Sequence, residues 1–134
     1  MKNRYLCRAK RIDTGEWVEG YLSYTFCTEK GNESYYFYAK DSLDFFCRCV
    51  VDAATICQCT GLKDKNGKLI WENDIANCLE QECYGYIGWN ESEAGFYFNT
   101  LLEDGGFEEE HIYDYQNGIE VIGNTFDNPG LLEV

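Results

Sequence analysis

Apolar and polar side chains alternate along most of this chain, which is the two-residue period of a strand with one buried face. Residues 4–12 (RYLCRAKRI) set Arg4, Leu6, Arg8, Lys10 and Ile12 against Tyr5, Cys7, Ala9 and Arg11. Asp13 to Glu16 reads as a turn, and EWVEGYLSYTFC after it alternates again, with Trp17, Glu19, Tyr21, Ser23 and Thr25 opposite Val18, Gly20, Leu22, Tyr24 and Phe26. A second turn at Glu29–Asn32 leads into the aromatic strand SYYFYA. Residues 41–51 (DSLDFFCRCVV) read as a strand with a short helical turn at Asp41–Leu43, and the apolar run of 51–61 ends at Gly61. Lys63 to Lys68 contains Asn66-Gly67, the strongest short-range turn signal. Strands are expected in LIWENDIANCLE, CYGYIGWN, AGFYFNT and EVIGNTF, and HIYDYQ reads as one more, with Tyr113 and Tyr115 on one face. No segment longer than ten residues has helical spacing. The pattern predicts a mainly β chain built as a small barrel or roll, with little helix.

A length of 134 residues suits one domain, or two very small ones packed together. No Ser/Gly-rich linker divides it. The turn around Asn66 is the best boundary, giving an N-terminal β region, 1–62, and a C-terminal β region, 63–134. An apolar share of 45% and an aromatic share of 16% exclude intrinsic disorder. No apolar run approaches a membrane span. The start, MKNRYLCRAKRI, lacks the apolar stretch of an export signal, so a cytoplasmic location is expected, with the eight cysteines as thiols.

Charge divides the chain unevenly. All 11 Lys and Arg lie at or before Lys68, whereas residues 69–134 carry 15 acids and no Lys or Arg. The first eleven residues hold Lys2, Arg4, Arg8, Lys10 and Arg11 without an acid. This asymmetry reads either as a solvated strand face with a generally acidic surface, or as a basic edge that meets the acidic half, within one chain or between copies.

Three blocks carry a family resemblance. Residues 60–75 read Thr-Gly-Leu-Lys-Asp-Lys-Asn-Gly, then Ile70-Trp71, then Glu72-Asn73-Asp74-Ile75. Cys7–Tyr21 (CRAKRIDTGEWVEGY) and Val121–Leu132 (VIGNTFDNPGLL) stand on either side. Together they resemble the YopX family of small bacteriophage and prophage proteins, with Ala9 and Asn73 at positions where the family pattern has Gly, and Phe126 where it has Tyr. Asn is, after Gly, the residue most tolerant of positive φ. The resemblance implies a phage or prophage origin and an SH3-like barrel for the later half. It carries over no catalytic residue. As physics, each block reads as chain reversal: turns at Asp13–Gly15 and Asn66-Gly67, a tight corner at Glu72–Asp74 whose Asp bonds nearby amides, and Pro129 after the last strand.

Reactive clusters are sparse. Cys47-x-Cys49 and Cys57-x-Cys59 have one intervening residue where zinc pairs have two to four, so on strands each pair shares a face and fills apolar positions. Cys78 and Cys83 stand five apart. The single histidine, His111, lies among Glu108, Glu109, Glu110 and Asp114. Glu108, Glu110, His111 and Asp114 are the candidate ligands for a divalent cation, although an acidic run is more often a solvated edge. One histidine leaves no parts for a two-histidine metal helix, and Gly105-Gly106 precedes acids rather than a phosphate-binding Lys. No catalytic residue and no cofactor is assigned. The expected function is a non-enzymatic protein-binding module that self-associates, with a bacterial host protein as a further partner. The alternatives are an acidic DNA mimic that inhibits a host nucleic-acid enzyme, and a metal-dependent enzyme. Direct nucleic-acid binding is disfavoured, because the acidic half repels phosphates.

Overall fold

The computed structural model describes residues 5–29, 32–40, 48–115 and 118–133. The expected helical turn at Asp41–Leu43, the first part of the strand expected over 41–51, the middle of the turn at Glu29–Asn32, and Cys47, Lys2 and Arg4 lie outside them. The chain is mainly β, with two antiparallel sheets. Its strands are β1 (Cys7–Lys10), β2 (Trp17–Glu29), β3 (Asn32–Ala39), β4 (Arg48–Val51), β5 (Cys57–Lys63), β6 (Leu69–Trp71), β7 (Asp74–Cys78), β8 (Cys83–Asn90), β9 (Gly95–Leu101), β10 (Phe107–His111) and β11 (Ile119–Asn124). They fall into two compact units, Met1–Cys59 and Thr60–Val134. Among the described residues no helix is long and apolar enough to cross a membrane.

In the first unit the sheet order is β4-β3-β2-β1-β5, with every pairing antiparallel. The turn at Asp13–Gly15 closes through bonds from the Gly15 amide to the Arg11 carbonyl and from the Arg11 amide to the Glu16 carbonyl, both 2.9 Å. Gly15 takes φ 72°, which the turn requires of a residue without Cβ. Ala9, Phe37, Cys49 and Val51 form the core of this unit, with Val18, Tyr35 and Ile56 against it. Ala9 is fully buried, so the methyl that stands in place of the family's glycine fills core space. The strand's polar positions stack on an aromatic ring: the Arg8 guanidinium lies 4.8 Å and the Lys10 ammonium 5.5 Å from the Trp17 ring centre. Arg11 instead forms a two-point ion pair with Asp13 at 2.8 and 2.9 Å, and that bond draws the Asp13 carboxyl below its ordinary value.

The second unit carries the later part of β5, then β6, then a five-stranded sheet in the order β10-β9-β8-β7-β11. Ile70, Ala76, Cys78, Ile87, Phe98, Ile112, Tyr115 and Ile119 make its core. The stretch LIWENDIANCLE, counted from its pattern as one strand, is two, β6 and β7, parted by the corner expected at Glu72–Asp74. The corner between them lies at Glu72-Asn73, where Asn73 takes φ 69°. The Asp74 carboxylate accepts the Trp71 amide at 2.8 Å, the Asn73 amide donates to the Ile87 carbonyl at 2.7 Å, and the Thr125 amide donates to the Asn73 carbonyl at 2.9 Å. The corner is thereby tied to two other parts of the sheet.

HIYDYQ also differs from its strand reading. His111 ends β10, and Ile112–Asp114 turn as a short 3-10 segment. Three residues per turn cannot hold Tyr113 and Tyr115 on one face. Tyr113 is 70% exposed, whereas Tyr115 is 5% exposed and packs edge-on against Phe98. β10 itself, FEEEH, has too few apolar residues to announce a strand. It forms because its backbone completes the edge of β9, pairing Phe107 with Leu101 through to His111 with Tyr97.

Candidate functional site

The hairpin of β8 and β9 turns through Glu91–Ala94, which places Asn90 opposite Gly95 and Trp89 opposite Phe96. The turn is fastened by the Asn90 side chain, whose Oδ1 accepts the Ser92 hydroxyl at 2.9 Å and the Glu93 amide at 3.0 Å. Across the strands the Trp89 and Phe96 rings meet edge to face at 4.9 Å. On the neighbouring pair of strands, β9 and β10, Tyr97 stands opposite His111, and their rings lie 4.8 Å apart with a tilt of 35°.

These pairs, with Thr60 and Leu62 of β5 and Ile112-Tyr113 of the 3-10 turn, surround a cavity of about 380 Å3. That volume is in the range of small-ligand sites. Ile112 is buried at 3% exposure, while Trp89 at 42% and Tyr113 at 70% leave ring surface open to solvent. The Thr60 hydroxyl is already committed, donating to the Ile70 carbonyl at 2.7 Å.

The charged neighbours are carboxylates. Glu93 lines the cavity, and Glu109 is held beside it by a 2.9 Å bond from the Asn90 amide nitrogen. The Tyr97 hydroxyl titrates above its ordinary value, first because the ring is buried, then because Glu93 and Glu109 oppose a phenolate. Among the described residues no Lys or Arg lies in the cavity wall. The cavity is an aromatic receptacle with an acidic rim, suited to binding by ring faces.

The four candidate cation ligands are split by strand alternation. Glu108 and Glu110 project to one side of β10, Glu109 and His111 to the other. Glu110 accepts a short hydrogen bond from the Tyr115 hydroxyl, while His111 stacks on Tyr97. Asp114 lies in the 3-10 turn, and its side chain is outside the described residues. Among the described residues no group of three or more His, Cys, Asp or Glu side chains is placed to hold a metal ion.

Cys49, Cys57 and Cys59 are buried thiols; Cys78 and Cys83 face each other across the β7–β8 ladder, also as thiols. Burial pushes the Cys83 thiol above its ordinary value, and Cys78 and Glu110 add to the shift.

The pocket was not found by motif reading, because its walls come from four separate stretches with no shared spacing. One signal was available. A turn placed at 91–94 fixes the hairpin register, and that register sets Trp89 opposite Phe96.

Two of the three sequence blocks, 60–75 and 121–132, have a different use. The Asp64 carboxylate accepts the amides of Asn66 and Lys68 within its own turn and that of Val121 on β11, at 2.9 to 3.0 Å. Asn124 Oδ1 accepts the Phe126 and Asp127 amides at 3.0 and 2.9 Å, and Asn128 Oδ1 returns to accept the Asn124 amide at 3.2 Å. A Cβ on Gly123 would meet that same Asn128 side chain, so a larger residue there has to displace the group that holds the turn. Compared with known protein families, residues 7–133 match the one described as YopX protein. No curated protein matches the chain. A match over nearly the whole length, with its blocks tied into the same backbone turns, makes this chain a member of the YopX family.

Proposed function

We propose that the chain is a non-enzymatic accessory protein of bacteriophage or prophage that works by binding protein, a second copy of itself first. The observation that carries this reading is the division of charge: residues 69–134 hold 15 acids and no Lys or Arg, while all 11 bases precede them. Opposite charge on different parts of one polypeptide favours antiparallel or head-to-tail encounter between copies and raises the association rate. Exposed aromatic surface supports the same reading, since Tyr and Trp dominate the centres of protein contacts. Tyr5 is 73% exposed, and Tyr21, Tyr38, Tyr84 and Trp89 also keep surface in solvent.

Sedimentation across a salt series tests it. The expected result is an oligomer at low ionic strength that dissociates as salt rises, because screening shortens the reach of the charges. A monomer at every ionic strength and at high protein concentration refutes self-association.

A further inference from the structure

The cavity at the β8–β9 hairpin has a chemistry that goes beyond self-association and does not depend on it. The geometry points to a binding site for an organic cation, a quaternary ammonium or guanidinium group, held against the faces of Trp89, Phe96, Tyr97 and Tyr113 with Glu93 at the rim.

Four aromatic side chains converge on one space of about 380 Å3. Ring faces carry the negative part of the aromatic quadrupole, so a cavity walled by them attracts positive charge that is too weakly hydrated to prefer water. Metal ions and ammonium fail that condition; methylated ammonium and guanidinium meet it. The rim adds the same sign. Glu93 lines the cavity and Glu109 is pinned beside Tyr97 by Asn90, while among the described residues no Lys or Arg lines the wall and its imidazole, His111, is stacked on Tyr97. An anion would meet carboxylates, and a neutral apolar ligand would gain nothing from them.

The site is also preformed. Trp89 and Phe96 brace each other edge to face, and Asn90 fixes the turn that carries Glu93. Two sources offer the chemistry: an Arg or methylated Lys side chain on a polypeptide, and a free small cation.

The test uses the full-length chain at mildly alkaline pH and low ionic strength, following the Trp89 indole and the Ala94 and Gly95 amides by NMR. Choline, its neutral carbon isostere dimethylbutanol, and N-acetylarginine methylamide are titrated separately. Saturable shifts confined to the pocket with choline or the arginine amide, and at least roughly 5-fold weaker binding of the neutral isostere, support the proposal. Choline alone identifies a free small cation, the arginine amide alone a polypeptide side chain, and both together the shared cationic group. Glu93→Gln and Tyr113→Ala, at exposed positions that leave the fold intact, are each expected to weaken binding by roughly 2- to 5-fold. Equal binding of choline and its neutral isostere overturns the proposal, as does the absence of saturation with either cation. Oligomer formation is read separately by sedimentation, so a failure of self-association leaves this result untouched.

Discussion

Asp64 offers the sharpest test of how the fold is held. Its carboxylate is 6% exposed and accepts three backbone amides, from Asn66 at 2.9 Å, Lys68 at 3.0 Å and Val121 at 3.0 Å. The first two hold the turn; the third ties that turn to β11. A hydrogen bond to a charged acceptor contributes roughly 1.5–3 kcal/mol, and less where water replaces the lost partner. Allowing about 1 kcal/mol for each turn amide, which water reaches, and about 2 for Val121, Asp64→Ala costs about 4 kcal/mol. Asp64→Asn keeps one carbonyl oxygen for the turn but turns its NH2 against the Val121 amide, so it costs about 2 kcal/mol. Urea denaturation reads this directly: with a slope of about 1.5 kcal/mol/M, Asp64→Asn lowers the midpoint by roughly 1.3 M.

The pH dependence provides a second, independent reading. Burial raises the Asp64 carboxyl, but the amides of Val121, Lys68 and Asn66 and the charge of Lys68 outweigh it, and its titration falls below the ordinary value of 3.8. Between the folded value and 3.8 the unfolded chain binds more protons than the folded one, so the contribution of Asp64 is complete above that window and lost as pH falls through the folded value. The stability gap between wild type and Asp64→Asn therefore narrows at acidic pH, and comparing the two chains at each pH cancels the other carboxylates they share. A gap for Asp64→Ala below about 1 kcal/mol near neutrality refutes the reasoning. So does a gap for Asp64→Asn that stays constant as pH falls through the window.

Two further outcomes follow from single positions. Asn73 sits at φ 69°, where a Cβ is strained, so Asn73→Ala is expected to be about 1 kcal/mol less stable than Asn73→Gly. Both variants lose the same side chain, so thermal melts of the pair isolate the backbone effect, and equal melts refute it. Cys83 carries a thiol raised above its ordinary value of 9.0 by burial, Cys78 and Glu110, so iodoacetamide at neutral pH is expected to label it more slowly than a free thiol. Mass spectrometry of the labelled chain decides this, and a rate equal to that of glutathione refutes it.

What the sequence made legible depends on whether a residue's task is local. Alternation with aromatic and β-branched residues revealed β2, β3, β8 and β9, and Asn66-Gly67 revealed its turn through a backbone demand that few residues meet. The corner at Asn73 was readable for the same reason, and it has the positive φ expected of it. Strand β10 was hidden because an edge strand rich in Glu carries no apolar period; its register comes from β9, not from its own side chains. The 3-10 turn at Ile112–Asp114 was hidden because Tyr113 and Tyr115 mimic strand alternation over so short a stretch. The pocket was least legible. Its walls belong to β5, β8, β9 and the segment after β10, and only tertiary structure brings them together.

This contrast bears on where function lies in the chain. Polar residues of the family-like blocks, Asp64, Asp74, Asn124 and Asn128 among them, are occupied with backbone amides, and Asn73, which stands where the family pattern has Gly, makes a corner. A side chain whose acceptors are filled by its own main chain has little left to offer a partner. Trp89, Phe107 and Tyr113 keep ring surface in solvent in the stretch from Trp89 to Tyr113, which holds none of the family-like blocks and carries Glu93 at the cavity. A fold organised in this way fixes its frame with polar turns and leaves one face of the hairpin free to change its chemistry. The membership that identifies the protein therefore specifies the frame. On the proposal of a cation site at the cavity, Glu93→Gln and Tyr113→Ala are expected to change binding while leaving the urea midpoint in place.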